Sequence, residues 1–201
     1  TKKILALLLA AMMVLGLAAC GNKTDDSSDG DNDSKTEASG LTEAFVEYPA
    51  LVTSGGQSAD YQMIATVMEK QGMDFTTNNL ATSADLGDAK TLIVGVGGSS
   101  KGLGAAGIDA DGELERLDEL MTAAKDAGLS IIAMHTGGEA RRGDLSDKFI
   151  TPVFNMADYA IVVSSGDSDG MMNDLCAGNG IPMDKIDSIS DVVTVLPAAF
   201  K

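Results

Sequence analysis

The sequence predicts a three-layer α/β domain built on an open parallel sheet of about five strands. Two observations carry this. Unbroken apolar runs recur along the chain and give way to helical spacing, as strands buried on both faces and their crossover helices do. Each of the three Gly-Gly pairs also closes such a run. Leu51-Val52-Thr53-Ser54 ends in Gly55-Gly56, Leu92-Ile93-Val94-Gly95-Val96 in Gly97-Gly98, and Ile131-Ile132-Ala133-Met134-His135-Thr136 in Gly137-Gly138. Strand-to-helix turns of an open parallel sheet have this form and gather at its carboxyl edge, where ligands bind.

The elements follow in order. After the first strand, Ser58 caps a helix that carries Tyr61, Ile64, Ala65 and Met68 on one face and stops near Gly72. Asp74-Phe75-Thr76-Thr77 makes a short strand, and Asp85-Leu86 a tight turn before the strand Thr91–Val96. Leu114, Leu117, Leu120, Met121 and Ala124 form the clearest helical stripe, with acids in the first turn where the helix dipole favours them and Gly128 as the stop. The strand Ser130–His135 leads into a long polar turn. Ser146–Ile150 makes a helical turn, and Thr151-Pro152 reads as a fresh cap and first helical position. Asp158–Val163 is a fifth strand, followed by a Met-rich helix from Gly170 to Ala177. Ser190–Leu196 suits a last short helix, its β-branched residues also permit a strand, and Pro197 ends it. Five strands suit the flavodoxin-like order 2-1-3-4-5, with right-handed crossovers, better than a six-stranded Rossmann arrangement.

The N-terminus is of another kind. Lys2-Lys3 precedes an apolar run from Ile4 to Ala19, then Cys20-Gly21. A basic start, an apolar core and small residues before a cleavage point describe a secretory signal. About 16 apolar residues are short for a membrane span. Cys20 after Leu17-Ala18-Ala19 resembles the lipobox of bacterial lipoproteins. That resemblance implies a diacylated Cys20, palmitate among its chains, as the mature N-terminus, and anchorage to the extracytoplasmic face of the cell membrane. The expected organisation is a signal over 1–19, the lipidated Cys20 with a disordered acidic tether over 20–43, and one α/β domain over 44–201. With Thr1 in place of an initiator Met, at least one residue is expected upstream.

Composition narrows the function. The tether run Asp25–Ser34 is acidic and lacks apolar residues, so it cannot offset the entropy of ordering. Its alternating Asp29, Asp31 and Asp33 lack the Glu that completes a calcium loop. A formal charge of -16, spread well beyond the tether, repels nucleic acid. Outside the signal and tether the single Cys is Cys176, so no disulfide forms within the domain, and its spacing from Met171, Met172 and Leu175 marks it as a buried hydrophobe. One His and one free Cys give no zinc set, so no metal and no cofactor are expected. Flavin is disfavoured by the absence of Trp and by only three Tyr.

The candidate site lies in the Gly-rich turns. Ser54, Gly55, Gly56, Gln57 and Ser58 supply the first turn, and Gly97, Gly98, Ser99, Ser100 and Lys101 the second. The third holds the only His, His135, with Gly137, Gly138 and two of the three Arg, Arg141 and Arg142. Gly lets a ligand approach main-chain N–H groups, helix N-termini add donors, and Lys or Arg adds charge. This pattern points to a small anionic ligand. Of the two Arg, one is expected to point inward. Gly102-Leu103-Gly104-Ala105-Ala106-Gly107 matches a dinucleotide fingerprint in letters only, since it lies past the strand and before an acidic stretch.

From Pro49 to about Ile189 the chain resembles an uncharacterised family of bacterial exported lipoproteins, a domain of unknown function. The likeness rests on Gly56-Gln57-Ser58-Ala59-Asp60, on the run Gly97–Asp109, on the run His135–Gly143 and on Ser146-Asp147-Lys148-Phe149. It implies an exported α/β domain and attaches no activity. Two alternatives to ligand binding remain open. One is a hydrolase or transferase with His135 as acid and base, Ser99 or Ser100 near the reacting group and Arg141 on an oxyanion. The other is an interaction module whose Gly-rich edge meets another envelope protein.

Overall fold

The apolar runs pair side by side in register. In the computed structural model, which describes residues 36–201, the strands are β1 (Ala50–Gly55), β2 (Phe75–Thr77), β3 (Thr91–Val96), β4 (Ser130–His135), β5 (Tyr159–Val163) and β6 (Met183–Ile186). All pair in parallel, in the order β2-β1-β3-β4-β5-β6. The expected order is present, extended by one strand. Met183-Asp184-Lys185-Ile186 carries two charges at its centre and so gives no apolar run. It forms because it lies at an edge, where Asp184 accepts a hydrogen bond from the buried Tyr159 hydroxyl at 2.5 Å.

Successive strand residues face opposite sides and fill two cores. Leu51, Leu92, Val94, Ile131 and Ala133 point to one, and Val52, Ile93, Ile132 and Met134 to the other. The first core is closed by α3 (Ala110–Asp126), α4 (Asp144–Met156) and α5 (Met171–Asn179), through Leu117, Leu120, Phe149, Val153, Phe154 and Cys176. The second is closed by α1 (Asp60–Lys70) and α6 (Val192–Ala198), through Ile64, Met68, Val192 and Leu196. Cys176 is fully buried, and burial beside Asp167 pushes its thiol up to about 12, which makes it inert as a nucleophile.

Three local expectations are corrected. Pro152 does not begin a new helix but sits inside α4. A proline there removes one ladder bond, and the four buried side chains Phe149, Ile150, Val153 and Phe154 on one face outweigh that loss. Pro197 likewise lies within α6, so it does not end the last helix. Finally, α2 (Ser100–Ala106) is a helix where Gly102 and Gly104 argue for a loop. Its start is fixed by Ser99, whose Oγ accepts the Gly102 N–H at 3.0 Å, and by Leu103, buried in the first core.

The chain meets the body earlier than residue 44. Asn173 Oδ1 accepts the Ala38 N–H at 3.0 Å, and Ser39 O accepts the Met183 N–H at 2.8 Å, so the strap around residues 36–41 lies along β6. The signal, Cys20 and residues 20–35 of the expected tether lie outside the described residues. Among the described residues no helix is long and apolar enough to cross a membrane.

Candidate functional site

Register places the Gly-rich turns at one level. Gly55 lies opposite Val96 and Gly95 opposite Met134, so the turns after β1, β3 and β4 emerge side by side. The chain leaves β1 toward β2 and β3 toward β4, which makes the β1/β3 boundary the topological switch point. A cleft of about 360 Å3 opens there, lined by Gln57, Ser58, Ala59, Tyr61, Gln62, Asn79, Ser99, Lys101, Gly102, Ala105, Ala106 and Arg141. Among the described residues the lining holds two cations and no carboxylate.

The two turns beside the cleft are laced together. Gly56 O accepts the Ser99 N–H at 2.9 Å, and Gly97 O accepts the Ser58 N–H at 3.2 Å. Gly102 packs so closely that a Cβ there would meet Gln57 O at 1.9 Å. Gln57 takes a left-handed backbone at φ 59°, unusual for a residue other than glycine. Its side chain explains how that is held. Gln57 Nε2 donates to Asn79 O at 2.9 Å and to Glu113 Oε1 at 3.1 Å, while Asn79 Nδ2 donates to Gln57 Oε1 at 2.8 Å.

Beneath the turn lies a buried ion pair. Glu113 Oε1 accepts the Gly56 N–H at 2.9 Å, and Glu113 Oε2 accepts from Arg116 Nε at 2.8 Å. Arg116 also donates to Ser54 O at 2.6 Å and Ala81 O at 2.7 Å. The Glu113 side chain is 0% exposed and that of Arg116 8%, so one charge cancels the other out of water, with hydrogen bonds to the 54–57 turn and to Ala81. Sequence reasoning assigned Glu113 to the helix dipole and missed the pair. The available signal was spacing: Glu113 and Arg116 fall on the same helical face as the buried Leu117 and Leu120.

The third turn is sealed. His135 is fully buried, with Nδ1 3.0 Å from Val96 O and Nε2 3.2 Å from Gly138 O, so neither ring nitrogen is left to a substrate. Arg142 turns away from the cleft. It donates to Asp147 Oδ1 at 2.8 Å, to Gly166 O at 2.5 Å and to Asp169 Oδ2 at 2.9 Å, which ties α4 to the loop after β5. Those carboxylates raise the Arg142 guanidinium further above its usual range, and Arg142 holds the Asp169 carboxyl at about 2. Arg141 is the one that reaches the cleft. Its Nε lies 3.9 Å from Asp60 Oδ1, and Asp60 in turn accepts the Ser58 hydroxyl at 2.9 Å.

Of the expected site residues, the fold thus brings Gln57, Ser58, Ser99, Lys101 and Arg141 into one cleft. Ser54, Gly55 and Gly56 are buried, and Ser54 Oγ donates to Ser58 O at 3.2 Å. Gly97 and Gly98 do not line the cleft, the Gly98 N–H donating to Ser146 Oγ at 2.9 Å. Ser100 is exposed and does not line the cleft. Gly137 and Gly138 belong to the sealed turn. Tyr61, Gln62 and Asn79 are lining residues that the sequence did not single out. Among the described residues no group of three or more His, Cys, Asp or Glu side chains is placed to hold a metal ion.

Residues 47–200 match the family model described as Domain of unknown function (DUF6305), and the chain belongs to that family. No curated protein matches the chain.

Proposed function

We propose that this chain is a lipid-anchored extracytoplasmic domain that binds a small anionic ligand in the cleft at the β1/β3 switch point. One observation carries the reading. In a protein with 30 acidic and 14 basic residues, the cleft lining has, among the described residues, Lys101 and Arg141 and no carboxylate. Its position is where open α/β sheets bind ligands, and its volume falls in the range of small-molecule pockets. Anchorage follows from the lipobox likeness around Cys20 and gives a receptor or transport accessory as the role.

Thermal unfolding against a panel of carboxylates, phosphates and sulfate tests it. At least one anion should raise the midpoint, and Lys101→Ala and Arg141→Ala should each abolish most of the rise. No shift across the panel sinks the proposal. Nothing in the geometry favours His135 as an acid or base, since both of its nitrogens face carbonyl oxygens.

A further inference from the structure

We propose that the cleft selects a carboxylate flanked by hydroxyls, as in hydroxy acids and acidic sugars, over phosphate esters. The inference rests on the anion-binding reading above and concerns which anion fits.

Gly-rich turns bind phosphate by aiming several main-chain N–H groups at its oxygens. Here four of those groups are taken within the protein. The Gly56 N–H is taken by the Glu113 carboxylate, the Gly98 N–H by Ser146 Oγ, and the Ser58 and Ser99 N–H groups by carbonyls of the opposite turn. Glu113 fills from inside the place a phosphate would take at the β1 turn.

Recognition of charge therefore falls to two side chains from different turns. Lys101 is a point charge, while the Arg141 guanidinium is a planar fork that matches a carboxylate through two parallel hydrogen bonds. Asp60 stands 3.9 Å behind Arg141 and offsets part of its charge. Two cations backed by one carboxylate leave a single net positive charge, which suits a monoanion. A phosphate monoester carries roughly -1.5 to -2 at neutral pH and is left over-charged.

The remaining polar lining is neutral. Tyr61 contributes a phenol, and Gln62 and Asn79 contribute carboxamides. Such groups both donate and accept, as a hydroxyl requires. Ala105 and Ala106 supply a small apolar wall. Carboxylate at the cations and hydroxyls at the amides uses every kind of group the cleft presents.

Titration calorimetry on the full chain, at matched ionic strength and pH 7, separates the possibilities. The probes are glucuronate, glycerate, acetate, glucose, glucose 6-phosphate and inorganic phosphate. Glucuronate or glycerate should bind at least roughly tenfold tighter than glucose 6-phosphate, acetate or glucose, and Arg141→Ala should weaken that binding by roughly tenfold or more, the loss expected for a charge-assisted pair. Arg141→Lys, which keeps the charge and removes the fork, should recover only part of it. Glucose 6-phosphate or phosphate binding as tightly as glucuronate and glycerate overturns the carboxylate assignment and leaves the anion-binding reading standing. Acetate binding as tightly overturns the role of the hydroxyls. Binding of no anion overturns both readings.

Discussion

The β1/β3 side of the carboxyl edge and the β4/β5 side are built from the same kind of turn, yet one is open and the other closed. After β4, His135 bridges Val96 O and Gly138 O, and Arg142 is held by Asp147, Gly166 O and Asp169. After β1 and β3, the Gly56, Ser58, Gly98 and Ser99 N–H groups and the Glu113–Arg116 pair are satisfied internally, while Lys101 and, from the turn after β4, Arg141 line a cleft. Arg141 and Arg142 are neighbours in sequence and sit on opposite sides of this divide. A rare residue type in a Gly-rich turn is therefore no measure of function. What decides is whether the fold supplies it with a fixed partner out of water.

Breaking the buried pair should give the largest effect. Glu113→Ala leaves the Arg116 charge uncompensated in a site where both side chains are almost wholly buried. The expected loss is about 3–5 kcal/mol in denaturant unfolding, because removing one partner strands the other. The opened turn should also lose its hold on Gln57, whose carboxamide rests on Glu113. A loss under about 1 kcal/mol, the range of exposed pairs, overturns the claim that the cleft rests on this pair.

Next comes the contrast between the adjacent arginines. Arg142 is 13% exposed at its side chain and links three chain segments, whereas Arg141 is 43% exposed. Arg142→Ala should lower stability by about 1–3 kcal/mol, as expected for charged hydrogen bonds lost along with the partner groups left behind. Arg141→Ala should stay within about 0.5 kcal/mol of the parent, as for surface changes without fixed contacts. Equal losses by urea unfolding would erase the division between a closed and an open half.

The sheet was legible because strands buried on both faces are apolar throughout, as Leu92–Val94 and Ile131–Met134 are, and because Gly pairs mark where they end. β6 was hidden because an edge strand tolerates Asp184 and Lys185, whose partners come from elsewhere in the chain. Pro152 pointed to a break because local propensity knows nothing of the core face of α4. In the site, Lys101 and Arg141 were legible as cations at turn positions. The sealing of His135 and Arg142 was not, since it depends on carbonyls of Val96 and Gly166, 39 and 24 residues distant. Glu113 and Arg116 were masked by their type, for charged residues are seldom buried unless paired.

The smallest effect lies on the closed side and is read as a function of pH. Arg142 holds the Asp169 carboxyl at about 2, below the usual value of about 3.9 for aspartate. A folded-state value below the unfolded one stabilises the protein above about pH 4, and that stabilisation is lost as pH falls toward about 2. The Asp169 side chain is 56% exposed, so solvent screens the pair and the contribution is modest. Asp169→Asn keeps an acceptor for the Met171 N–H, which Asp169 Oδ1 takes at 3.2 Å, and removes the charge together with the Oδ2 acceptor that Arg142 uses. The difference in unfolding midpoint between parent and variant should be constant above about pH 4 and shrink steadily below it. A difference that stays flat down to about pH 2 would mean that Arg142 is held by Asp147 and Gly166 O alone, with Asp169 a bystander on the closed half of the edge.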